Sequence, residues 1–105
     1  VLRAVVRYMA SNLASEESLK ELARRFYVSE GHVCHLFRKE FGCSPMKLWQ
    51  IMKIEGICAS PAIETCSVDE LARRTGFATR RGFERAFRRV KGSTVTEYRS
   101  LLASG

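Results

Sequence analysis

The chain writes one helix start twice. "SLKELARR" at residues 18–25 returns 49 positions later as "SVDELARR" at residues 67–74. One extra residue then moves the offset to 50, and the likeness resumes. Val33, Leu36, Phe37, Arg38, Lys39 and Gly42 fall opposite Phe83, Ala86, Phe87, Arg88, Arg89 and Gly92. Apolar faces apolar and basic faces basic at helical spacing, the pattern of one supersecondary unit used twice. A chain of 105 residues has room for two such units on a modest shared core and for little else.

Each copy opens with Ser-x-x-Glu, Ser18 with Glu21 and Ser67 with Glu70. This spacing predicts a capping box, in which the Ser oxygen takes an orphan helix N–H and the Glu reaches back to another. Leu19, Leu22 and Ala23, matched by Val68, Leu71 and Ala72, then form a narrow apolar stripe over about two turns. Gly76 supplies a left-handed stop in the second copy. A second helix follows with Ser29 or Thr79 as N-cap. It turns Val33, Leu36, Phe37 and Phe41 inward in the first copy, and Phe83, Ala86, Phe87 and Val90 in the second. The opposite face carries Glu30, Gly31, His32, Cys34, His35 and Arg38 in the first copy. In the second it carries Arg80, Arg81, Glu84, Arg85 and Arg88. Two short helices, a tight turn and a polar outer face predict a helix-turn-helix.

The flanking segments read as helical too. Leu2, Val5, Val6, Met9 and Leu13 recur at three and four residues. Pro45 stands in the first turn of a segment that Gly56 weakens and Pro61 ends, with Trp49 on its buried side. Thr94 to Leu102, with Tyr98, Leu101 and Leu102, reads as a last helix closing the second core. No strand-like alternation occurs. The expected fold is all-α, with about seven helices: an N-terminal unit over 1–43, a linker helix over 44–62 and a C-terminal unit over 63–105.

Charge narrows the function. The chain has a formal net charge of +7, and residues 1–66 carry nine Lys/Arg against seven Asp/Glu, whereas 67–105 carry nine against four. Such an excess suits a polyanion, nucleic acid or an acidic membrane surface. No run of about 18 apolar residues suggests a membrane span. Four cysteines without a C-x-x-C pair fit a reducing, cytoplasmic setting better than a disulfide framework. The start at Val1, with no signal-type segment, reads as a piece of a longer polypeptide whose regulatory or dimerisation region lies elsewhere. No nucleophile, base and orienting group form a catalytic set, and no Gly-rich loop cradles a phosphate, so no enzyme activity is expected. His32 and His35 share a helix face with Cys34 between them, but no fourth ligand stands at suitable spacing. Neither a metal nor another cofactor is expected.

At this point the chain resembles a known family. "VDELARRTGFATRRGFERAFRRVKGSTVTEYR" follows the C-terminal signature of the DNA-binding domain of AraC/XylS-type bacterial transcription regulators. Gly76, Phe77, Phe83, Arg85, Phe87, Arg88, Gly92, Tyr98 and Arg99 carry it. "SLKELARRF", "VSEGHVCHLFRKEFG" and "SPMKLW" match the first half more loosely. The resemblance covers nearly the whole chain and implies two helix-turn-helix units on a linker helix. It also implies double-stranded DNA as partner and transcription control that is most often activation; RNA polymerase is a further candidate partner. It puts base-reading positions at Gly31, Cys34 and His35 and at Arg80, Arg81 and Arg85. His32, Arg38, Glu84 and Arg88 complete the expected DNA-facing set, and Arg89, beside Arg88, is expected at phosphate. Arg suits the task because it meets guanine O6 and N7 with two parallel hydrogen bonds, worth about 1–3 kcal/mol of discrimination. Three positions depart from the family pattern: Tyr27 replaces a usual Gly, His35 a common Arg, and Ser60–Pro61 a Leu-Leu helix end. Two other readings remain open. One is a protein-interaction module for RNA polymerase or an acidic partner; the other is the DNA-targeting part of a fused repair alkyltransferase.

Overall fold

A computed structural model describes residues 1–104, so Gly105 at the end of the expected C-terminal unit lies outside the described residues. Eight α-helices follow one another: α1 Leu2–Ser11, α2 Leu19–Arg25, α3 Glu30–Phe41, α4 Pro45–Cys58, α5 Ala62–Thr65, α6 Val68–Arg74, α7 Arg80–Lys91 and α8 Val95–Ser104. Among the described residues there is no strand and no helix long and apolar enough to cross a membrane.

The helix starts are local chemistry. Ser18, Ser29, Ser44, Ser67 and Thr79 each accept a backbone N–H three residues on. The capping box is complete only in the first copy. Glu21 reaches back to the Ser18 amide, whereas Glu70 turns to Arg73 at 3.3 Å. Pro45 sits at the first position of α4, where its missing N–H has no helical partner to lose.

Two cores form, and they meet on α4. One gathers Val5, Met9, Leu22, Ala23, Val33 and Phe37 around Trp49 of α4. The other gathers Ile63, Leu71, Ala72, Phe83, Ala86, Phe87 and Val95 around Ile54 and Ile57 of the same helix. Since α4 ends at Cys58, just past Ile57, the unusual Ser60–Pro61 lies beyond the stretch that carries both cores. Gly56, which weakens α4 in isolation, admits Leu13: a Cβ there would stand 2.8 Å from its Cδ1.

The structure corrects three further expectations. The helices number eight, because Ala62–Thr65 forms a single turn too short to show a period. Arg99 holds its carbonyl end, Nε donating to the Ile63 oxygen at 2.6 Å and Nη2 to that of Cys66. Phe41 is not core but 43% exposed: it sits in the last turn of α3, beside Phe37, where only α1 flanks it through Leu2 and Val6. Leu101 and Leu102 are exposed as well, because Val95 and Tyr98 already cover the second core and α8 runs on past its edge.

Glu17 anchors the loop between α1 and α2. Its carboxylate accepts from the Tyr8 hydroxyl, Ser15 Oγ at 3.0 Å and the Arg25 guanidinium at 3.1 Å, which lies over the Tyr8 ring. Burial pushes this carboxyl up, but the hydrogen bonds from Tyr8, Ser15 and Arg25 outweigh it and leave the pKa below its ordinary 4.5. The unfolded chain therefore binds the proton more readily than the folded one. The stabilisation is complete above the ordinary value and is lost as pH falls through the lowered one. Glu17→Gln should be about 1–3 kcal/mol less stable at pH 7. Urea unfolding of both proteins should show that gap narrowing towards pH ~3; a constant gap would remove ionisation from the account.

Candidate nucleic-acid interface

α3 and α7 are the second helices of two helix-turn-helix motifs, and each turns one polar face outward. At about 100° per residue, Gly31, His35 and Arg38 lie opposite the buried Val33 and Phe37. Arg81, Arg85 and Arg88 lie opposite Phe83 and Phe87 at the equivalent places. Gly31, His32, His35 and Arg38 are exposed, as are Arg80, Arg81, Glu84, Arg85 and Arg88, while Cys34 is half-buried. Gly31, His35 and Arg38 thus match Arg81, Arg85 and Arg88 on two outer faces, with His32, Cys34 and Glu84 at the flanks, whereas Arg80, three and seven residues before Phe83 and Phe87, shares the side of the buried stripe.

Exposure does not make these arginines equivalent. Arg80 leans sideways, paired with Glu84 at 3.2 Å and with Asp69 of α6 at 3.7 Å. Arg89 turns the other way and donates to Gln50 of α4. Arg81, Arg85 and Arg88 have no ion-pair partner among the described residues, and with Glu84 they line a shallow groove closed by Thr94 and Val95. The lateral partners of Arg80 and Arg89 escaped the sequence reading because they come from other helices. Of the paired arginines elsewhere, Arg25 is held by Glu17 and Arg73 by Glu70.

Charge separates the two faces. α7 carries six Lys/Arg against one acid, whereas α3 carries two of each. A polyanion would therefore be held chiefly by α7. Among the described residues no three His, Cys, Asp or Glu side chains converge to hold a metal.

Residues 22–100 match the helix-turn-helix domain family. The fold also matches a transcriptional regulator of the AraC-type DNA-binding-domain class from Chromobacterium violaceum, TM-score 0.79, 21% identical over 94% of this chain and 88% of that one. The chain belongs to the helix-turn-helix domain family and has the fold of AraC-type DNA-binding domains. A second crystal structure, of the DNA-binding domain of the global transcriptional factor AdpA in complex with a target DNA, is similar to this domain at TM-score 0.86. The two are 28% identical over 98% of this chain and 93% of that one. RipA, a helix-turn-helix-type transcriptional regulator of Corynebacterium glutamicum, is 32% identical over 91% of this chain and 29% of its own length. The chain spans about a third of the length of the curated relatives it matches.

Proposed function

We propose that this domain reads double-stranded DNA by inserting α3 and α7 into successive major grooves on one face of the duplex, and that it serves transcription activation in a bacterial cytoplasm. In this reading residues 1–43 and 63–105 are the two reading units and 44–62 their support. A regulatory or dimerisation region elsewhere in the protein and RNA polymerase are the further partners. The observation that carries the reading is the pair of matching outer faces, Gly31, His35 and Arg38 on α3 and Arg81, Arg85 and Arg88 on α7. The molecule is 45 Å long, enough to span one DNA turn of about 34 Å. The AdpA complex with DNA supports the same reading.

The N-terminal residues of a recognition helix approach base edges and its later turns lie nearer phosphate. Gly31, His32, Cys34 and His35, and Arg80, Arg81, Glu84 and Arg85, are therefore the base-side set, and Arg38 and Arg88 the phosphate-side pair. Arg85→Ala should relax the preference at one base position at a cost of about 1–3 kcal/mol. Arg88→Ala should weaken binding to every sequence and flatten the slope of log K against log salt by about 0.9. If both variants weaken binding uniformly, the division between base and phosphate is wrong.

The test is selection of bound duplexes from a random library of about 30 bp at two salt concentrations. Two enriched blocks centred about 10 bp apart are expected. Recovery of no preferred sequence, or binding to RNA polymerase without binding to DNA, would overturn the reading.

A further inference from the structure

The two cores meet on α4, and one buried charge sits where the units themselves touch. Lys53 lies in the middle of α4, between Trp49 of the first core and Ile54 of the second, and is only 6% exposed. Its ammonium donates to the Ser15 carbonyl oxygen at 2.6 Å. It lies 4.5 Å from the centre of the Trp49 ring and 5.9 Å from that of Phe77. Ser15 belongs to the loop before α2, whereas Phe77 follows α6. The C-terminal unit reaches the same loop directly through Gly76, where an added Cβ would stand 2.7 Å from the Ala14 carbonyl oxygen and closer still to that of Ser15. Glu16 and Glu17 add negative charge beside the lysine, while burial draws its pKa below the ordinary lysine value.

A lysine is almost never this buried unless its charge is paired or bonded. It belongs to neither apolar cluster. What the ammonium does is join a loop of one unit to a surface of the other.

We propose that Lys53 is a positioning residue that sets the angle between the two recognition helices, and with it the spacing of the two DNA blocks the domain accepts. The DNA half of this statement rests on the two-unit reading above; the clasp itself does not. A rigid pair of readers gains from linkage only when both blocks lie at the matching distance and rotation. A loosened pair loses some affinity for the matched site and most of its discrimination against mismatched ones.

The test compares the intact domain with Lys53→Met, which keeps the stem between the two rings and removes the ammonium. A second variant inserts one glycine after Ser15, lengthening the loop without touching either core, and carries the test if Lys53→Met does not fold. Residual dipolar couplings of the free protein should fit one alignment frame for both units in the wild type and two in each variant. With duplexes carrying the selected blocks, moving them 2 bp apart should lower wild-type affinity about 30-fold or more and variant affinity about 3-fold. Binding to the C-terminal block alone should change less than about 2-fold in the variants. One frame in the folded variants, or wild-type spacing discrimination in them, would overturn the proposal. Should the wild type itself show no two-block preference, the two-unit reading fails, and the couplings alone decide whether the clasp exists.

Discussion

Gly76→Ala should cost about 2–5 kcal/mol of stability, combining a left-handed backbone penalty of about 1–2 with overpacking of typically 1–3. Gly76 has φ +72, and its missing Cβ leaves room for the Ala14–Ser15 backbone. Backbone cannot swing aside as the end of a side chain can. Against a typical domain stability of about 5–15 kcal/mol, the loss is severe. Gly92→Ala separates the two contributions, because Gly92 has φ +76 and open space around it. It should cost about 1–2 kcal/mol, the backbone part alone. Tyr27 holds the equivalent place in the first copy at φ 57 and is 95% exposed, so Tyr27→Gly should gain about 1–2 kcal/mol, the same backbone part with the opposite sign. Urea unfolding of the three variants is the measurement. Equal losses for Gly76→Ala and Gly92→Ala would mean that the Ser15 loop gives way freely.

Trp49→Ala should cost a similar amount, about 3–5 kcal/mol. The side chain is fully buried, packs against Tyr8 and donates its indole N–H to the Met9 carbonyl at 3.0 Å. It is the fully buried residue that α4 gives the first core, with Met46, Leu48 and Met52 packed around that core, so its removal loosens the support of α1 and α3. Trp49→Phe should cost less, because the Asn12 amide still serves the Met9 carbonyl at 3.2 Å and much of the apolar area remains. Trp49 is the single tryptophan, so unfolding is best followed by circular dichroism. The methyl resonances of Ile63, Leu71 and Val95 should keep their positions in Trp49→Ala, since those residues belong to the other core. A loss below about 1 kcal/mol would show that the first core repacks around the gap.

The legible part of this fold was the part written within one or two helical turns. Ser18, Ser29, Ser44, Ser67 and Thr79 bond an amide three residues away, and the stripes ending in Leu22, Phe37, Leu71 and Phe87 recur at three and four residues. Capping and periodicity need no knowledge of what lies across the core. The outer faces of α3 and α7 followed from the same arithmetic, because whatever stands opposite a buried stripe is exposed.

Phe41 carried the same apolar signal as Phe37, yet it stays 43% exposed with α1 at one side. Nothing near Lys53 in the sequence marks it as buried, since its contacts are with Ser15, 38 residues earlier, and Phe77. Arg99, read as part of a family signature, clamps Ile63 and Cys66, more than 30 residues before it. Arg80 and Arg89 are drawn sideways by Asp69 and Gln50. Helix ends and exposed faces were therefore written in neighbouring residues, because the forces that shape them act over a turn or two. Which arginines stay free, which lysine is buried and where the two readers point depended on contacts between helices far apart in the chain, whose meeting no short stretch encodes.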